Sequence, residues 1–284
     1  MVALLDTTNS QQPITARDVV ALLDSAGIRR AVLLSVAYIY SSPARTVEDE
    51  YAKVRADNDW TGAQAAEYPE RLRAFCGINP LEEYALDELA RCARDPKLSR
   101  GIKLHFGNSD VRLENPAHVA QIRRVFQAAN EHRMAVVVHL RASISRKRPY
   151  GAVQARAFLE QVLPAAPDIP VQVAHLAGTG PGYEDPPSDS AIAVLAEAVE
   201  KRDPRTRRLW FDVTTVVDRN ISKANAALVA KRIRQLGVDR VLYGSDAAAG
   251  DNLRPREAWA AFRRLSLTDR ELERIAKNVA PYLR

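Results

Sequence analysis

GIKLHF at 101–106 and AVVVHL at 135–140 are short, mostly apolar runs that end on or beside a histidine, and PVQVAHL at 170–176 repeats the pattern. RLWFDVT (208–214) and DRVLYGSD (239–246) carry an aspartate at or near their ends in the same way. The residues so placed, His105, His139, His175, Asp212 and Asp246, are separated by 34, 36, 37 and 34 positions. Continuous apolar, β-branched runs are what parallel strands look like when both faces are buried. A unit of strand, helix and loops takes about 30 residues or more, and eight such units close a barrel of about 250 residues. In that fold the carboxyl ends of all strands converge on one face, where catalysis sits. Residues far apart in the chain then meet in one pocket, which points to an enzyme.

The alternation extends outward in both directions. Thr15 is an N-cap with Asp18 three residues on, and the amphipathic run ARDVVALLDSA stops at Gly27. RAVLLSV (30–36) follows as a strand, then a helix over 47–67, a strand LRAFCGI (72–78) and a helix over 82–94. Helices are expected at 116–132, 151–163, 189–202, 223–236, 256–265 and 269–280, each after one of the later strands. Seven strands are thus visible, and a closed barrel needs one more ahead of residue 15. Only MVALL is strand-like there. The expected architecture is a single α/β domain over 1–284, a (β/α)8 TIM-like barrel whose first strand is missing or truncated. The rival, an open doubly wound sheet, binds ligand at one switch point with two or three strands. Candidate residues on five successive strand ends favour the barrel.

Bulk composition excludes several function classes. Hydrophobic residues at 46% and charged residues at 27% are ordinary for a globular protein. No apolar run approaches the roughly 18 residues of a membrane span, so no membrane role is expected. The net charge of +6 suggests anionic partners. Its arginine pairs (Arg123/Arg124, Arg207/Arg208, Arg263/Arg264) are scattered, however, whereas a nucleic-acid reader concentrates them on one face with stacking aromatics. No nucleic-acid partner is expected, and homo-oligomerisation is left open. The N-terminus shows no basic segment followed by an apolar core, and a cytoplasmic location is the default. Cys76 and Cys92, one on a strand-like and one on a helix-like run, read as buried thiols rather than a disulfide or a zinc cluster.

A lone histidine at the end of an apolar strand is more often a hydrogen-bonded structural residue than a ligand. Three repeats of the arrangement, at His139, His175 and Asp246, argue for a shared cause. Neutral imidazole nitrogens and a carboxylate suit zinc or a similar divalent ion.

On these motifs the chain resembles the amidohydrolase superfamily, in particular the amidohydrolase-related branch that includes aminocarboxymuconate-semialdehyde decarboxylase. The carriers are GIKLH, His139 in VVVHL, His175 in VAHLAG, Asp246 in YGSD and the closing IAKNVAPYL. The resemblance implies that His139 is a metal ligand. It implies that His175 binds metal or substrate or moves a proton, and that Asp246 binds metal and serves as base. It also implies a His-x-His pair at the end of the first strand, which these 284 residues do not contain. An incomplete N-terminus is the expectation, since it also accounts for the short first strand; loss of half the metal site is the alternative.

Lys103 and His105 lie two apart on one strand and so face the same side. In some members of the superfamily a lysine here is carboxylated and bridges two metals; a pocket-lining charge beside a carboxylate is the simpler reading. Asp212 is a second-rank candidate, equally suited to capping or to pairing with an arginine. RASISRKR after His139 supplies Arg141, Arg146 and Arg148, which either hold a substrate carboxylate or form a solvated charge run. AGTGPGYEDPPSDS after His175 reads as a lid or substrate loop, since a proline interrupts any phosphate cradle. The expected function is a metal-dependent hydrolase that uses metal-activated water on a small, carboxylated amide or lactone. Asp246 and His175 would be catalytic, and Lys103, His105 and the three arginines would bind the anionic substrate. A non-oxidative decarboxylase and a barrel without activity are the alternatives.

Overall fold

The computed structural model describes residues 2–3, 14–178, 183–246 and 254–284. The strands β1 (Val2–Ala3), β2 (Ala31–Leu34), β3 (Leu72–Gly77), β4 (Gly101–His105), β5 (Ala135–His139), β6 (Val171–Val173), β7 (Leu209–Asp212) and β8 (Val241–Leu242) form one parallel sheet in chain order. Between and after them run α1 (Ala16–Ser25), α2 (Glu50–Ala66), α3 (Ala85–Arg94), α4 (Pro116–Glu131), α5 (Ala152–Ala157), α6 (Pro186–Glu200), α7 (Lys223–Leu236), α8 (Pro255–Phe262) and α9 (Asp269–Lys277). This is the TIM-like α/β fold that the strand spacing predicts. The first strand, β1, pairs through its two described residues with Val32 and Leu33. Among the described residues, β8 pairs with β7 alone. The rest of MVALL and the Gly-Pro-Gly part of the loop after His175 lie outside the described residues.

Strand alternation separates two apolar layers. Ala31 and Leu33 of β2 pack outward into the large cluster shared with the helices, such as Val19 and Leu23 of α1. Val32 and Leu34 point the other way and meet Phe75, Ala135, Val137 and Ala174 in a small inner cluster. The C-terminal residues Tyr282 and Leu283 close that inner layer. Tyr282 packs edge-on against Phe75 at 4.9 Å, and Arg30 Nη1 donates to the Leu283 carbonyl at 2.8 Å. The closing IAKNVAPYL therefore plugs the sheet interior.

Local signals set the boundaries. The Thr15 side chain accepts from Asp18 N, and Asp18 Oδ2 accepts from Thr15 N at 2.8 Å, so both ends of the capping box are made. Gly27 ends α1 with φ +67°, a left-handed conformation open to glycine. α5 is shorter than expected: after Ala157 the chain widens into a π turn over 158–162 and meets Pro164, which has no N–H to continue a ladder.

One expectation is corrected. Cys76 on β3 and Cys92 on α3 are joined by a disulfide rather than standing as separate thiols. Both are fully buried where that strand and helix face one another. A spacing of 16 between a strand and a helix residue has no signature that would reveal such a pairing.

Candidate active site at the carboxyl ends of the strands

Parallel pairing brings the histidines together. β4 and β5 end in register, with His105 opposite His139. Their rings stack with centroids 3.9 Å apart and planes 17° from parallel. His175, just beyond β6, meets His139 edge-on at 5.1 Å, and Tyr38, in the turn after β2, leans on His105 at 5.1 Å. The result is a row of rings, Tyr38–His105–His139–His175, across four strand ends. Tyr38 had no signal in the sequence beyond lying just after an apolar run.

His175 is held in an unusual backbone. His175, Leu176 and Ala177 have φ of 53°, 47° and 65°, and Thr215 and Asp246 lie at 55° and 54°. Left-handed backbone at non-glycine residues costs about 1–3 kcal/mol each and persists where surrounding contacts over-determine it. Those contacts are present. Asp212 Oδ1 accepts from His175 N at 3.0 Å and Thr214 N at 3.1 Å, and Asp212 Oδ2 accepts from Gln172 Nε2 at 2.6 Å. The Tyr150 hydroxyl donates to the Ala177 carbonyl at 2.6 Å. Asp212, the second-rank candidate, thus binds the turn that presents His175.

The tautomer of His175 follows from its partner. His175 Nδ1 lies 2.9 Å from the Thr214 carbonyl, which can only accept, so Nδ1 carries the proton. That bond fixes the orientation of the ring, with Nε2 on its far side. The opposite holds at His105, whose Nδ1 accepts from Asn108 N at 3.0 Å.

Burial dominates the charges. His105 and His139 are held well below the ordinary histidine value, first by burial and then by Lys103 and neighbouring histidines, so both rings are neutral. Burial also lowers the Lys103 ammonium, against the pull of Asp246 and Asp212. Burial raises the Asp246 carboxyl, against His175 and Lys103. Asp246 and Asp212 are the carboxylates whose charge acts on Lys103.

The donor set, two imidazoles at His139 and His175 and a carboxyl at Asp246, is of the kind that suits a divalent ion. The ligand atoms of these three do not close into a mutual 4.8 Å cluster among the described residues; Cys76, Glu88 and Cys92 do, and that trio is sealed by the disulfide. A cavity of about 540 Å³ beside β8 is lined in part by Gln172, Asp212 and Thr214.

The arginines of the loop after β5 have partners the sequence did not reveal. Arg141, 7% exposed, makes a two-point bond to Asp185 at 2.6 and 3.3 Å and lies over the Tyr150 ring at 4.7 Å. Arg146 and Arg148 both donate to Asp110, at 3.1 Å and at 2.7 Å twice. The run is neither free nor merely solvated: it ties the loops after β4 and β5 to each other and to the start of α6.

No curated protein gives a significant match. Among solved structures the chain is similar to a 2,6-dihydroxybenzoate decarboxylase complexed with 2,6-dihydroxybenzoate (15% identity, TM-score 0.60, 95% of this chain and 86% of the other). It is similar to a dihydroxybenzoic acid decarboxylase from Polaromonas with manganese and 2-nitroresorcinol (16%, 0.59, 91% and 82%). It is also similar to a protein from Acinetobacter baumannii assigned as a 2-pyrone-4,6-dicarboxylic acid hydrolase, with citric acid bound (15%, 0.58, 95% and 93%). At these identities the likeness shows the fold alone. The amidohydrolase sequence profile matches residues 33–280, and the chain belongs to the amidohydrolase family.

Proposed function

We propose that this chain is a metal-dependent hydrolase of small, carboxylated amides or lactones. The observation that carries the reading is the fixed ring of His175, its Nδ1 bonded to the Thr214 carbonyl, on the same face as His139 and Asp246. His139, His175 and Asp246 would hold a zinc or manganese ion. Such an ion supplies Lewis acidity at a carbonyl oxygen and a more acidic water. The chain's own groups do the rest. Asp246 takes the proton of the attacking water, and His175, kept in one orientation by the Thr214 carbonyl, faces the reacting centre. Lys103 balances the buried negative charge of Asp212 and Asp246. Water is excluded by the ring row and by the loops that Arg141, Arg146 and Arg148 tie down.

A second reading, non-oxidative decarboxylation, is supported by the solved structures this chain is similar to, two of which are dihydroxybenzoate decarboxylases. The two readings part on products. The metal-loaded chain would be offered carboxylated lactones and amides beside hydroxybenzoic acids, with acid release and carbon dioxide both recorded. Acid release without carbon dioxide is expected. Carbon dioxide release would replace the first reading by the second, and no turnover of either set would refute both.

A further inference from the structure

His105 has a second property that separates it from the other histidines of the row. Its Nδ1 lone pair is occupied by the Asn108 backbone N–H at 3.0 Å. The ring is clamped between His139 at 3.9 Å and Tyr38 at 5.1 Å. The turn behind it is tight: a Cβ at Gly107 would lie 2.9 Å from the Arg141 carbonyl and 3.4 Å from His105 Cε1. The ring therefore keeps both its position and its partner. An imidazole that accepts at Nδ1 and is neutral carries its proton on Nε2. Metal coordination needs a lone pair, and neither nitrogen of His105 has one to give. Lys103, on the same face of β4 and 4% exposed, is likewise a donor only. The β4 side of the site therefore offers donors.

We propose that His105 Nε2–H donates to a carboxylate oxygen of the substrate, and that Asn108, through its backbone N–H, is the positioning residue that fixes this tautomer. The assignment rests on the carboxylated-substrate reading above and extends it: His105 recognises the substrate's charge and takes no part in holding metal. A fixed neutral imidazole suits this role, because it hydrogen-bonds an anion without surrendering its proton.

The test uses the full chain with ¹⁵N-labelled histidine, zinc, and 2,6-dihydroxybenzoate as a carboxylate probe. The ¹⁵N signals of His105 should show a lone pair at Nδ1 and a proton at Nε2, unchanged by zinc. His105→Phe keeps the stacked ring and removes the donor; it should leave zinc affinity intact and weaken the acid by about tenfold, the scale of one hydrogen bond to a charged group. His105→Gln, whose amide N–H falls near the Nε2 position, should recover most of the loss. A lone pair at Nε2, or a zinc-induced shift of that signal, would overturn the donor assignment and leave the substrate class untouched. Unchanged binding in His105→Phe would overturn the recognition role. Failure of the parent chain to bind the acid would overturn the carboxylate assignment together with the proposed substrate class.

Discussion

Replacing Asp212 should unfasten the turn that presents His175. The carboxylate accepts three hydrogen bonds in a fully buried setting: from Gln172 Nε2 at 2.6 Å, from His175 N at 3.0 Å and from Thr214 N at 3.1 Å. Asp212→Asn keeps an oxygen for the two backbone donors but sets an amide N–H against Gln172 Nε2. Gln172 cannot turn over without cost, because its Oε1 already accepts the Tyr282 hydroxyl. The loss of one hydrogen bond to a charged group is about 2 kcal/mol. Asp212→Ala strands all three donors and should cost about 4 kcal/mol, less than three times the single loss because the turn relaxes. For a chain of this size each kcal/mol lowers Tm by about 2–4 °C, so the melts should fall by roughly 4–8 °C and 8–16 °C. Activity should fall further than stability, since the left-handed backbone at His175 and Thr215 loses what holds it. Thermal melts beside turnover give both quantities, and a double-mutant cycle with Tyr282→Phe should show coupling above about 0.5 kcal/mol. An Asp212→Ala protein within about 0.5 kcal/mol of the parent would refute the reasoning.

Three further outcomes follow from single contacts. Asp110 neutralises only one of the two charges on Arg146 and Arg148, so the double alanine variant should raise KM for a carboxylated substrate more than it lowers kcat; a lowered Tm with unchanged KM would reduce the pair to bracing. The hydrogen bonds of Arg148 hold the Asp110 carboxyl below its ordinary value of 3.8. That contribution is complete above the unfolded value and is lost as pH falls through the lower folded value, so the same variant should lose less Tm than the parent between about pH 4 and 2. Gly244→Ala would place a Cβ 2.0 Å from Thr214 Oγ1, inside a fully buried contact, and should destabilise by about 1–3 kcal/mol. Adding Thr214→Ala should restore much of it; equal melts for Gly244→Ala and the parent would show that the ends of β7 and β8 can spread.

Much of the fold was legible because parallel strands buried on both faces read as unbroken apolar runs, and GIKLH, AVVVH and LWFD became β4, β5 and β7 with boundaries shifted by a residue or two. Equal spacing then placed His105, His139 and His175 at one end of the sheet. Other features carry no local signal. The left-handed turn at His175–Ala177 contains no glycine, so nothing in the sequence marks it. Asp110 and Asp185 find their arginines 36 to 44 residues away, a distance that only the folded loops close. The lone-pair directions of His105 and His175 depend on Asn108 N and Thr214 O, backbone atoms that look alike at every position of a sequence.

The central claim is that His139, His175 and Asp246 form the metal-holding part of the site. Crystals of the chain grown with zinc and measured at the zinc absorption edge test it most directly. The account predicts an anomalous peak held by His139, His175 and Asp246, with these side chains drawn in from their present spacing until each lies about 2.2 Å from the ion. It also predicts no peak at Cys76, Glu88 and Cys92, whose sulphurs are already bonded to each other. Zinc at that trio, or bound through His105 instead of His175, would contradict the account.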